Sequence, residues 1–142
     1  MAGTGWSGDS GDDNVATKAR LNLPRGVAID TNDNIYIADT ANDLIRKVTA
    51  TTGNITRIAG RTEGSPSSGI GDDGPGIDAI LNEPYSVAID SSNNVIVADR
   101  LHHRIRKIDA STGYITTVAG TGDEGYVQSQ NGGRASLLLL LF

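Results

Sequence analysis

Apolar residues along this chain cluster in short runs separated by Asn, Asp, Thr, Ser and Gly. Val27–Asp30, Ile35–Ala38, Ile45–Val48 and Ile55–Ala59 each have strand length and are rich in β-branched residues. Pro24 stands just before the first run, a position that suits a strand start. Asn32-Asp33-Asn34 and Thr52-Gly53-Asn54 supply residues that tolerate positive φ and so predict hairpin turns. Ile35-Tyr36-Ile37-Ala38 is apolar without alternation, which predicts a strand covered on both faces. No segment keeps a helical apolar period over three turns, so the chain reads as all-β.

The same four-strand pattern occurs twice. Gly11–Gly60 superposes on Gly71–Gly120 without a gap, and 24 of the 50 positions coincide. Pro24–Asp30 meets Pro84–Asp90, Ala38-Asp39 meets Ala98-Asp99, and Ile45-Arg46-Lys47 meets Ile105-Arg106-Lys107. A period near 60 with four strands per unit fits propeller blades or a solenoid. An Ala-Gly pair closes each unit and also stands at Ala2-Gly3, while Gly132-Gly133-Arg134-Ala135 resembles the start of a third unit. The expectation is one domain over residues 1–142, with repeats at about 11–60 and 71–120 between partial units. Leu137–Phe142 departs from the repeat, because leucine replaces the Ala and Asn of the earlier linkers.

Pro84–Asp90, Val95–Asp99, His102–Lys107 and Ile115–Gly120 resemble the NHL repeat, and so do their counterparts in the first unit. The resemblance implies an incomplete β-propeller of about two to three blades, each of four antiparallel strands. It also implies a binding role, chiefly toward proteins and in some members toward RNA. Some similar propellers, such as the peptidylglycine amidating lyase, hold metal on histidines lining the channel. Here the two histidines, His102 and His103, are neighbours in one loop, so a non-catalytic module is expected and an enzyme is the alternative.

Composition narrows the chemistry. Twelve basic and seventeen acidic residues give a net charge of −5, so no broad basic footprint for nucleic acid is present. There is no cysteine for disulfides or thiolate-bound zinc. The longest apolar run is the six residues Leu137–Phe142, short of the roughly 20 a membrane helix needs, and no secretory leader is recognisable. Compartment is left unassigned, and neither a membrane partner nor a cofactor is expected. Gly3–Gly8 and Gly120–Gly125 spell G-x-G-x-x-G, but neither opens an amphipathic helix, so they read as turns. Asp30-x-Asn32-x-Asn34 lacks the Gly and Glu of a calcium loop and reads as a hairpin turn. Asp72, Asp73 and Asp78 form an acidic cluster in a Gly-rich linker, with Asx turns the simpler reading and a weak calcium site the alternative.

Strand direction locates the candidate binding residues. In an antiparallel blade the loop from second to third strand leaves on the same edge as the linker to the next blade. On that edge Thr40-Ala41-Asn42-Asp43-Leu44 differs throughout from Arg100-Leu101-His102-His103-Arg104, between identical flanks. Loops carried by a fixed scaffold commonly hold recognition residues. Thr40, Asn42, Asp43, Arg100, His102, His103 and Arg104 are therefore the candidates, with Arg100–Lys107 able to grip a carboxylate or phosphate. A protein partner is expected. Self-association is a further expectation, since two blades leave two apolar faces without a neighbour.

Overall fold

The computed structural model describes residues 2–61 and 69–123. Gly132–Ala135, the Leu137–Phe142 tail, Gly125 and most of the stretches 61–70 and 121–130 lie outside them. Strands β1 (Asn14–Val15), β2 (Gly26–Ile29), β3 (Ile35–Asp39), β4 (Leu44–Val48) and β5 (Asn54–Ala59) form one antiparallel sheet in the order β1-β5-β4-β3-β2. Strands β6 (Gly74–Pro75), β7 (Pro84–Ile89), β8 (Val95–Asp99), β9 (Arg104–Ile108) and β10 (Tyr114–Ala119) repeat it as β6-β10-β9-β8-β7. These two sheets are blades of an incomplete β-propeller, with β2 and β7 as the facing inner strands.

All four strands expected per unit are present within a residue or so of their anticipated ends, except that β7 begins three residues early, at Pro84. The blades differ from expectation in having a fifth, two-residue strand. It comes from the linker: Asn14-Val15 pairs with Asn54-Ile55 at the outer edge, and Gly74-Pro75 with Tyr114-Ile115. Such a short run has no readable period, and it holds only because the outer strand offers unpaired backbone groups. An extra residue bulges β5 at Ile58 and β10 at Val118, so the 60-residue repeat extends to these two bulges, whereas a shift between Pro84 and Ser86 in β7 has no counterpart in β2.

Strand alternation sends the residues of β3 to opposite sides. Tyr36 and Ala38 join Ile45 and Ala59 against Ala79, Leu81, Val87, Val95 and Val97 of the second blade, forming the principal core. Ile37 and Ile55 turn the other way and are covered by linker residues Ala16 and Ala19. The inner strands approach closely: a Cβ on Gly26 would lie 2.7 Å from the Cα of Ser86.

The hairpin turns are built on aspartates. Asp30 accepts the amides of Asn32 and Asn34, the Asn34 side chain and the Tyr36 hydroxyl. Burial alone would raise its carboxyl, but these hydrogen bonds prevail and hold it below the ordinary value. Burial and the same contact push the Tyr36 hydroxyl up to about 12. Asp90 repeats the turn with Ser92 and Asn94. The reading of Asp30–Asn34 as a turn is the geometry observed.

At the other hairpin Asp109 accepts the Ser111 hydroxyl and amide together with the Thr112 amide and hydroxyl, which lower its carboxyl to about 2 from 3.8. A depressed carboxylate contributes stability that is present above pH 3.8 and lost as pH falls through its folded value. Asp109→Asn is therefore expected to lower the melting temperature at pH 7, and the gap from wild type should close as pH approaches 2. A gap that persists at pH 2 would show that proton linkage at Asp109 is not its source.

Candidate functional site

Each blade carries a buried arginine where the Ala-Asp and Ile-Arg-Lys segments meet. Arg106, on β9, has no exposed side-chain surface and lies 3.1 Å from Asp99, which is buried equally completely at the end of β8. It also reaches Asp72 in the linker at 2.8 Å and the carbonyls of Ile80 and Ile70 at 3.3 Å. Arg46 repeats this with Asp39 at 3.3 Å, Asp12 at 2.8 Å and the carbonyls of Asp9 and Arg20. The Arg46–Asp12 contact lies off the hydrogen-bond direction and is an ion pair only, whereas Arg106 donates Nε–H to Asp72. Burial pushes the Asp39 carboxyl up, against the opposing pull of the Asn22 amide, Asn42 and Arg46. These clusters pin the linker to the middle of its own blade.

That placement gives one carboxylate of the acidic linker a partner in its own blade. Asp72 is bound by Arg106 and by the Thr117 hydroxyl at 2.7 Å. Asp73 has φ 62° and donates its amide to the Ile115 carbonyl. Among the described residues no group of three His, Asp or Glu side chains is gathered as a metal-binding cluster. Asp72 serves as a counter-ion, a role that required knowing where Arg106 points.

The loop candidates divide between the blades. After β3, Thr40–Asn42 forms a single 3-10 turn, and Arg100–His102 does so after β8, each ending in a left-handed residue, Asp43 or His103. The hydroxyl of Thr40 donates to the Pro84 carbonyl at 2.7 Å, and Asp43 accepts the Glu83 amide at 2.7 Å. Asn42 donates to Asp39 at 2.8 Å and to the Gly8 carbonyl at 2.7 Å. Thr40, Asn42 and Asp43 are thus fasteners that hold the second blade and the linker, and they leave little for an outside partner. His102 belongs with them: its Nδ1 lies 2.9 Å from Asp99, as Asn42 lies against Asp39.

Arg100, His103 and Arg104 remain on the open edge. Arg100 pairs with Glu83 at the surface, and Arg104 donates to the Thr121 carbonyl at 2.6 Å. Together with Arg25 and Tyr85 they rim a groove of about 670 Å³ whose floor is Ala98, Ile105, Ala119 and Gly120. The Arg25 guanidinium stands 5.1 Å from the centre of the half-exposed Tyr85 ring. Arg25 and Tyr85 were absent from the sequence-derived candidates. Their signal was available: they occupy the same repeat position, directly after the Pro of each unit, with unlike side chains.

The sequence profile of the NHL repeat matches residues 21–48 and 81–108, each running from the end of the linker to the third strand of a blade. NHL repeat-containing protein 2 of Homo sapiens is 34% identical over 121 residues, covering 80% of this chain and 16% of its own length. The protein of the same name from Gallus gallus is 43% identical over 107 residues, covering 74% and 14%. The chain therefore spans about a sixth of these relatives. Among solved structures, an auxiliary nutrient binding protein from Bacteroides thetaiotaomicron VPI-5482 superposes with a TM-score of 0.60 at 28% identity. That match covers 80% of this chain and 26% of the bacterial one.

Proposed function

This chain belongs to the NHL-repeat family, and we propose that it is a non-catalytic binding module that takes an acidic protein segment on its loop-bearing edge. The observation that carries this reading is the groove rimmed by Arg25, Tyr85, Arg100, His103 and Arg104. It concentrates cationic and aromatic groups on one edge of a chain whose net charge is −5. Guanidinium groups bind carboxylates through directional, charge-assisted hydrogen bonds, and the half-exposed ring adds apolar contact. The bacterial structural neighbour is itself named as a binding protein, which fits the same class.

A fluorescein-labelled decaglutamate peptide provides a direct probe. Its anisotropy should rise with protein concentration, and the response should weaken as salt is added. Arg25→Ser/Arg100→Ser/Arg104→Ser should weaken binding at least tenfold, the equivalent of about 1.4 kcal/mol. His102 is left intact because it supports Asp99. Equal binding by the triple variant would sink the assignment of this edge.

A further inference from the structure

A second groove, of about 330 Å³, opens in the seam between the blades and shares no lining residue with the one rimmed by Arg25 and Arg104. Blade one contributes Lys47, Arg57 and Ile58 to it, blade two contributes Asp109, and the linker contributes Ile77, which is 46% exposed. The bulge at Ile58 follows Arg57 directly, and both residues reach the groove. The Lys47 ammonium stands 5.3 Å from the centre of the Tyr36 ring, and Arg57 donates one N–H to the Gly60 carbonyl at 3.1 Å. Among the described residues neither cation is paired with a carboxylate. Asp109 is only half used: its four turn hydrogen bonds all end on Oδ1, and Oδ2 accepts none. These residues are particular to this seam. Sixty residues away Thr117 stands for Arg57, and Thr49 and Thr17 stand for Asp109 and Ile77. The turn itself does not require the carboxylate, since Gly53 bonds the Thr49 carbonyl as Gly113 bonds that of Asp109.

We infer that this groove binds a free α-amino acid with an apolar side chain. Its carboxylate meets Lys47 and Arg57, its ammonium meets Oδ2 of Asp109, and its side chain lies on Ile58 and Ile77. A guanidinium and a lysine ammonium give a carboxylate charge-assisted hydrogen bonds, the first of them directional. The turn that holds the Asp109 carboxyl at about 2 keeps it ionised at neutral pH, so it offers a full charge to an ammonium. Selectivity follows from the opposed charges. A simple carboxylic acid would set its charge beside Asp109 with nothing to offset it, and a simple amine would meet two cations. A ligand carrying both charges satisfies both blades, and the apolar lining favours leucine over glycine.

Leucine titrated into isotope-labelled protein should shift the amide resonances of Arg57, Ile77 and Gly113 and leave those of Arg100 and Arg104 unmoved. The dissociation constant should be about 1 mM or tighter. N-acetyl-leucine and leucinamide each lack one charge and should bind at least tenfold more weakly. Arg57→Thr and Asp109→Thr install the residue that the other repeat carries, so each should keep a dispersed spectrum and lose at least tenfold in leucine affinity. Asp109→Thr should bind N-acetyl-leucine no more weakly than wild type does, because that ligand has no ammonium to lose. Should either variant unfold, the analogue series on the wild-type chain still decides. No shift with leucine would overturn the proposal. N-acetyl-leucine binding as tightly as leucine, or leucine affinity unchanged in both folded variants, would overturn it equally. Decaglutamate reports on Arg25, Arg100 and Arg104 in the same spectra, so a failure of the acidic-segment reading is seen separately.

Discussion

Arg106→Ala should destabilise the chain by about 3–5 kcal/mol in guanidinium unfolding, a large part of a small domain's total stability. The guanidinium has no exposed surface and links a fully buried carboxylate, Asp99, to a partly exposed one, Asp72, and to two linker carbonyls. Removing it leaves Asp99 buried with only the Asn82 amide and His102 to offset its charge. The desolvation of that carboxylate is then no longer compensated, and the linker loses its tie to the blade. Arg106→Lys should recover only part of the loss, because one ammonium cannot reproduce a planar fork that serves several acceptors. A loss below about 1 kcal/mol for the alanine variant would mean that the pair behaves as a surface salt bridge, contrary to its burial.

Gly60→Ala should cost about 3 kcal/mol or more, while Gly53→Ala should cost about 1 kcal/mol. Both glycines have positive φ, 92° and 71°, so each loses the same kind of conformational freedom. They differ in what surrounds the missing side chain. A Cβ on Gly60 would lie 2.2 Å from the Asp43 carbonyl oxygen and 2.9 Å from the Leu44 Cα, and both obstacles are backbone. A Cβ on Gly53 would meet nothing within 4 Å. The Gly60 variant must therefore shift the Asp43 turn, whose side chain fastens Glu83 of the next blade. Thermal melts of the two variants beside wild type give the comparison, and equal losses would refute the steric argument.

The strands and their turns were legible in the chain because each depends on neighbouring residues. Pro24 before β2, the Asp30–Asn34 turn and the Thr52–Asn54 turn are local chemistry, and the 60-residue repeat confirmed them by recurrence. The site was only half legible. The divergence between Thr40–Leu44 and Arg100–Arg104 marked one edge as variable, but divergence alone does not separate recognition from assembly. Thr40 and Asp43 differ from Arg100 and His103 at positions where, among the described residues, only the first loop faces a following blade.

The two short linker strands were not legible at all. Asn14-Val15 and Gly74-Pro75 carry no strand pattern and extend only because an outer strand lies alongside. The partner of Asp72 was hidden for a related reason. Adjacent carboxylates in a sequence show charge but not its partner, and Arg106 lies 34 residues from Asp72.

By itself the sequence determined an all-β chain of repeated four-stranded units, because hydrophobic period and turn chemistry act over a few residues. Only the tertiary structure decided which loop residues are fasteners, which carboxylates neutralise Arg46 and Arg106, and which copies of the same apolar face are covered. Those outcomes depend on contacts between residues tens of positions apart. Val27 and Val87 have the same side chain and nearly the same local sequence, and only the presence of a neighbouring blade makes one a surface residue and the other part of the core.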